Sequence, residues 1–162
     1  MGSVFQPDIG SAGGMMRLEW AKQLSVGNAI IDSDHQKLIT MINCAEDMIK
    51  KKDNFAMSLA FTQIEHYLHV HFVNEEMFAQ ALNFPFALHK LGHQNMRTAI
   101  DLTKHELKKN GIEITPKFVM EHYAQFLRNW LIKHITEEDM LMKPVLQTRP
   151  YDFKIGEAHF YC

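Results

Sequence analysis

The sequence predicts an all-α protein, an up-down-up-down antiparallel four-helix bundle. Three observations carry that prediction. Apolar residues recur at spacings of three and four along four long stretches, the period of an amphipathic helix. The stretches run to roughly 20 residues each and are joined by short connections, as antiparallel neighbours in a bundle require. No stretch alternates apolar and polar residues convincingly enough to compete as a strand. The 162 residues fit one domain with a real core.

In chain order, residues 1–16, "MGSVFQPDIGSAGGMM", are rich in Gly and Ser and lack periodicity. They read as a flexible leader or vector-derived remnant with no role in the fold. The bundle spans 17–143. Its opening, "RLEWAKQLSVGNAIIDSDH", is interrupted by Gly27 and Asn28, so it reads as an ordered loop packed by Leu18, Trp20 and Val26. Asp32 or Ser33 is the expected N-cap of the first helix. That helix is expected from Asp34 to Lys52, with Leu38, Ile39, Ile42, Ala45 and Ile49 on one stripe. The second is expected from Phe55 to Leu82, closed by "NFP", and the third from Phe86 to Asn110, stopped by Gly111. The fourth is expected from Pro116 to Met142, started by Thr115-Pro116 and stopped by Pro144. Residues 144–162 form an aromatic-rich tail that either packs on the bundle or leads toward a protein partner or signalling domain.

Bulk chemistry narrows the function. A net charge of −2 and a pI near 6.5 offer no broad basic surface for nucleic acid or anionic lipid. No apolar run reaches the roughly 18 residues of a membrane span, and no Lys or Arg precedes Arg17 to open a signal peptide. A cytoplasmic protein is expected. Cys44 and Cys162 suggest neither a disulfide framework nor a thiolate zinc site, and both read as free thiols. The unusual counts are 10 His, 11 Met and 11 Phe, and the histidines carry the chemistry.

A helical wheel sorts them. His71 shares the stripe of Ile64, Tyr67, Glu75 and Phe78, whereas His66 and His69 lie about 140 to 160° away. His89 and His93 share the face of Met96, Ile100 and Leu107, with His105 opposite. His134 follows Tyr123, Leu127 and Trp130, with His122 off the stripe, and His35 opens the inner stripe of the first helix. Five histidines from four helices therefore point inward together with Glu75. One buried His is ordinarily a satisfied core residue. Five without partners would each cost about 1 to 3 kcal/mol, a large share of a domain's stability, and a metal removes that cost.

So many ligands exceed one tetrahedral zinc. Imidazoles with bridging carboxylates suit a pair of iron ions. Glu75 is the first bridge. The second lies in "HITEEDM", where an ideal helix puts Glu138, four residues after His134, on the right face and Asp139 about 140° away. Geometry alone selects Glu138.

The order His35, then "HFVNE" (His71, Glu75), then "HKLGH" (His89, His93), then "HITEED" (His134, Asp139) resembles the hemerythrins, specifically the bacterial ones. The flanking "LEW", "SVG", "IDSDHQ", "NFP" and "NWLIKHI" read the same way, and the likeness covers nearly all of 17–143. It implies one iron held by His89, His93 and His134 and a second by His35 and His71, bridged by Glu75, Asp139 and an oxo or hydroxo group. It thus implies Asp139 where the wheel selects Glu138, which requires local unwinding near the end of the fourth helix. It also implies O2 binding at an open position on the second iron, with Trp130 and Leu131 lining the pocket; ordinary core packing accounts for both as well, and Trp20 has the same double reading as pocket wall or, more readily, core. Two spacings depart from the family: 14 residues from Glu75 to His89 is short, and 41 from His93 to His134 is long.

Reversible O2 binding for storage, transport or sensing is the leading functional expectation. The alternative is a di-iron enzyme acting on O2, peroxide or nitric oxide. Ferritin-like oxidases carry Glu-x-x-His repeats, and this sequence has none. A site of five neutral imidazoles also supports high-valent iron less well than a carboxylate-rich one.

Overall fold

The computed structural model describes residues 16–109 and 117–156, without the side chains of 106–109. The expectations for the leader before Met16, for Leu107, for the helix end at Asn110 and Gly111, for the start at Thr115-Pro116 and for Cys162 fall outside these bounds. Four long helices form the bundle: α1 (Ala29–Lys51), α2 (Asn54–Ala81), α3 (Ala87–Lys109) and α4 (Lys117–Glu137). A 3-10 turn (Asp139–Met142) and a single-turn helix, α5 (Lys143–Leu146), follow. No strand occurs among the described residues, and no described helix is long and apolar enough to cross a membrane.

Local chemistry sets the helix ends. The Asn28 side chain accepts hydrogen bonds from the Ile30 and Ile31 amides, so α1 begins at Ala29, five residues ahead of the expected start. Asp32 is consequently not a cap. It lies fully buried in the first turn and accepts from Ser25 Oγ (2.5 Å), the Val26 amide (2.9 Å) and Tyr151 Oη (3.1 Å). At the other end Lys52 takes a left-handed conformation (φ 59°) and returns its amide to Met48 and Ile49. Asp53 then caps α2 through the Ala56 amide at 2.9 Å. Pro144 sits in the first turn of α5, where its missing amide is harmless, and so continues the chain into a helix instead of only stopping one.

Two apolar clusters fill the bundle. The larger joins Leu38, Ile42 and Ile49 of α1, Phe61, Ile64 and Leu68 of α2, Met96 and Ile100 of α3, and Tyr123, Leu127 and Leu131 of α4. The smaller lies at one end, where Val26, Ile31, Phe78, Ala79, Met142 and Leu146 pack with Phe153 and Ile155. The tail therefore packs on the bundle. Its backbone accepts from Asn28 Nδ2 at Phe153 (3.0 Å) and from the Ala29 amide at Tyr151 (2.8 Å). Along α1, α2 and the α4 end, the inward histidines and carboxylates fall between residues of one cluster and residues of the other. A polar slice thus crosses an otherwise apolar interior.

Candidate metal centre

Each helix delivers its share to that slice through its inward stripe. α1 supplies His35, α2 supplies His71 and Glu75 one turn apart, α3 supplies His89 and His93 one turn apart, and α4 supplies His134. Asp139 arrives from the 3-10 turn. α4 ends at Glu137, Glu138 takes a distorted right-handed conformation (φ −108°, ψ −57°), and the chain tightens over Asp139–Met142. That break swings Asp139 inward, as the family likeness requires and as an unbroken helix could not. All seven side chains are buried, none more than 6% exposed.

The carboxylates divide the histidines into two sets. Glu75 Oε2 lies 3.3 Å from His89 Nε2, 3.1 Å from His93 Nε2 and 3.5 Å from His134 Nε2, while its Oε1 lies 3.5 Å from His71 Nε2. Asp139 repeats the division. Its Oδ1 is 3.1 Å from His89 Nε2 and 3.0 Å from His134 Nε2, and its Oδ2 is 2.9 Å from His35 Nε2. Each carboxylate thus turns one oxygen toward the group of His89, His93 and His134 and the other toward one of the remaining pair, Glu75 toward His71 and Asp139 toward His35. Two ligand groups result, Glu75 with His89, His93 and His134, and His35 with His71, Glu75 and Asp139, the atoms of each lying within 4.8 Å of one another.

Orphaned polar atoms show that these residues fit metal ions. Both ring nitrogens of His35, His71 and His89 and both oxygens of Glu75 and Asp139 are sealed from solvent with no aligned hydrogen-bond partner. These donors lie close together without bonding one another, as donors that share an ion do. His93 Nε2 and His134 Nε2 face each other at 3.1 Å, a pairing of two like ring nitrogens. Separations near 3 Å are those of neighbouring donors around one ion with bonds of about 2.1 Å. The donors are all imidazole and carboxylate, a set suited to iron, copper or zinc and not to a thiophilic ion.

Electrostatics point the same way. Burial pushes the Glu75 and Asp139 carboxyls up, but the surrounding imidazoles overcome it and hold both below the usual carboxylate range. Burial opposes charge on His89, yet Asp139 and Glu75 raise it to about 9, and His71 and His134 also rise. His93, where burial dominates, falls. The metal-free cluster therefore keeps its anions and favours protons on His71, His89 and His134, and a metal entering it must displace them.

His66, His69, His105 and His122 are exposed, as the wheel requires. Replacing each with Ala should leave metal content unchanged and shift stability by about 0.5 kcal/mol or less. Metal analysis and thermal melts check this; iron loss from His105→Ala equal to that from His93→Ala would overturn the helical phase.

Among the expected pocket residues, Trp130 stacks on His134 (centroids 4.5 Å, planes 15° apart). Leu131 is 1% exposed within the main core. Trp20 approaches His35 at 6.2 Å. Trp130 thus stands beside the set of three histidines and Trp20 beside the set of two. Sequence reasoning missed several neighbours. Phe72 stacks on His93 at 3.8 Å and Phe86 lies 4.4 Å from His89. Asp34 accepts from Tyr67 Oη (2.6 Å) and Asn74 Nδ2 (2.8 Å), with its Oδ2 3.8 Å from His71 Nδ1. The available signal was the position of Asp34 beside His35, facing the stripe that holds Tyr67 and His71.

Known proteins resemble this chain in sequence and in fold. The chain is 25% identical over 126 residues to a bacteriohemerythrin of Pseudomonas paraeruginosa, covering 77% of this chain and 78% of that one. It is 27% identical over 129 residues to a hemerythrin-like protein of Naegleria gruberi, covering 78% and 92%. A crystal structure of a hemerythrin in which one leucine is replaced by tyrosine superposes with a TM-score of 0.69 at 22% identity, covering 82% and 98%, a likeness of fold. The model of the hemerythrin HHE cation binding domain matches residues 26–146, the span that carries all seven buried His, Glu and Asp side chains of the slice. By fold, by ligand-competent geometry and by that match, the chain belongs to the hemerythrin HHE cation-binding family.

Proposed function

We propose that His89, His93 and His134 hold one iron ion, that His35 and His71 hold a second, that Glu75 and Asp139 bridge them, and that the pair binds O2 reversibly. One observation carries the reading: each of the two carboxylates presents one oxygen to the set of three histidines and the other to the set of two. Bound there, an iron pair would supply two one-electron centres and a position for O2. The protein's own part is to fix, shield and leave that position. Glu75 and Asp139 set the separation of the two centres, coming from different elements, α2 and the 3-10 turn. Phe72, Leu131 and Ile135 supply an apolar surround of at most 2% exposure, and Trp20 lies 6.2 Å from His35. Excluding water there slows proton entry, and proton entry is the step that would convert reversible binding into irreversible oxidation. Five imidazoles against two carboxylates leave the site poor in anionic donors, which supports binding over turnover.

The reduced protein, prepared without air, should be nearly colourless, gain a visible absorption band when air is admitted, and lose it under inert gas through repeated cycles. Oxygen consumption continuing in proportion to added reductant, with no recoverable oxygenated form, would replace the binding reading by an oxidase.

A further inference from the structure

Glu138 and Gly92 face each other across α4 and α3, and the bridging carboxylates leave both unexplained. Glu138 is the last residue whose amide still bonds within the α4 ladder, to His134 O at 2.9 Å. Its side chain is one-third exposed, yet Oε2 is sealed from solvent without an aligned hydrogen-bond partner, 3.3 Å from His134 Nδ1, which is likewise sealed and without one. The opposite nitrogen of the same ring, Nε2, faces Glu75, Asp139 and His93. One imidazole is therefore gripped at both ends by consecutive carboxylates, Glu138 behind and Asp139 in front. The space for the rear carboxylate comes from Gly92, between His89 and His93. A Cβ on Gly92 would stand 3.2 Å from Glu138 Cδ and 3.3 Å from Oε1, and closer still to Oε2.

We propose that Glu138 is a positioning residue for His134, receiving its Nδ1–H so that Nε2 is presented to the metal, and that Gly92 is the matching absence of a side chain that lets Glu138 reach it. This rests on the metal reading above. A neutral imidazole carries one N–H and one lone pair. A carboxylate at Nδ1 fixes which nitrogen has which, and makes the metal-facing nitrogen the stronger donor. Trp130, stacked on the same ring, blocks rotation in the remaining direction. The wheel's preference for Glu138 thus has a physical basis. Glu138 is on the face of His134, but it addresses the back of the ring.

The test uses the full chain as wild type, Glu138→Ala, Glu138→Gln, Gly92→Ala and the double variant, each metal-free. Competitive zinc titration reads affinity without any O2 chemistry, and the reduction potential is read on the iron-reconstituted proteins. Glu138→Ala should weaken binding of the ion held by His89, His93 and His134 by about 10- to 100-fold and raise the potential. Glu138→Gln, which keeps an acceptor oxygen without the charge, should restore most of the affinity but not the potential. Gly92→Ala displaces the carboxylate and should reproduce Glu138→Ala. The double variant should be no worse than either single one, because both remove the same contact. Affinity and potential of Glu138→Ala within about twofold of wild type would overturn the proposal, as would a further loss when Gly92→Ala is added to Glu138→Ala. A wild type that takes up fewer than two metal ions would instead bring down the metal reading itself, and this inference with it.

Discussion

Glu75→Ala should lose the iron pair as a unit and not one ion of it. Glu75 approaches four of the five inward histidines, three through Oε2 and one through Oε1, and is fully buried. On the proposed assignment, removing it would strip one anionic donor from each metal position at once. Nothing nearby can take its place, since Asp139 already spans both sets through its own two oxygens. Iron content should fall from about two per chain, the number a bridged two-metal site holds, to below one. A bound ligand at a hundredfold excess over its Kd adds about 2.7 kcal/mol to stability, so losing two ions should lower the thermal midpoint by about 10 °C or more. In the metal-free proteins the gap should narrow, because imidazoles deprived of the anion release their protons instead of staying charged. Glu75→Gln keeps the shape and one acceptor oxygen and should fall between. Glu75→Ala purified with two irons per chain would contradict the assignment of Glu75 as a bridge.

What the sequence discloses of this site follows from one assumption, that each helix runs unbroken at 3.6 residues per turn. Where that holds, the wheel is reliable. His35, His71, Glu75, His89, His93 and His134 are all buried, and His66, His69, His105 and His122 are all exposed. Where it fails, so does the wheel. Asp139 is turned inward by the break at Glu138, and that break follows from packing beyond it. Met142 and Leu146 must enter the cluster with Val26, Ile31 and Phe78, which an α4 continuing straight would not deliver. Only the family likeness pointed to Asp139 from sequence. The same likeness, not periodicity, divides the histidines into three and two, and the facing of the carboxylate oxygens supports that division.

The start of α1 was illegible for a different reason. Gly27 and Asn28 inside an apolar run look like a loop, and Asp32 looks like the cap that ends it. Yet Asn is as good a cap as Asp, and Gly27 holds a positive φ of 88° that suits it to the turn just ahead. What decides between the candidates is tertiary: the 25–28 turn and the tail need an acceptor at the bundle end, and Asp32 supplies it.

Asp32→Ala should accordingly be among the most destabilising substitutions away from the metal ligands. The carboxylate is completely buried and accepts from Ser25 Oγ, the buried Val26 amide and Tyr151 Oη, tying the approach to α1 and the tail to one point. Lys143 Nζ adds to the same junction by donating to Ser25 O at 2.7 Å. Ala at this position leaves the Val26 N–H without a partner in the apolar cluster and frees the two hydroxyls. Hydrogen bonds to a charged group contribute about 1.5–3 kcal/mol each, and an orphaned buried donor costs about 1–3 kcal/mol, so a loss of about 3 kcal/mol is expected. At this chain length that lowers the thermal midpoint by about 6–12 °C. Tyr151→Phe, which removes only the longest and most exposed of the three contacts, should cost under about 1 kcal/mol. Because Asp32 stands one turn before His35, the metal-free protein is the right form to melt: a loss found only with metal bound would mean that Asp32 acts through His35. A metal-free Asp32→Ala that melts within about 2 °C of wild type would show that the junction holds without its anion.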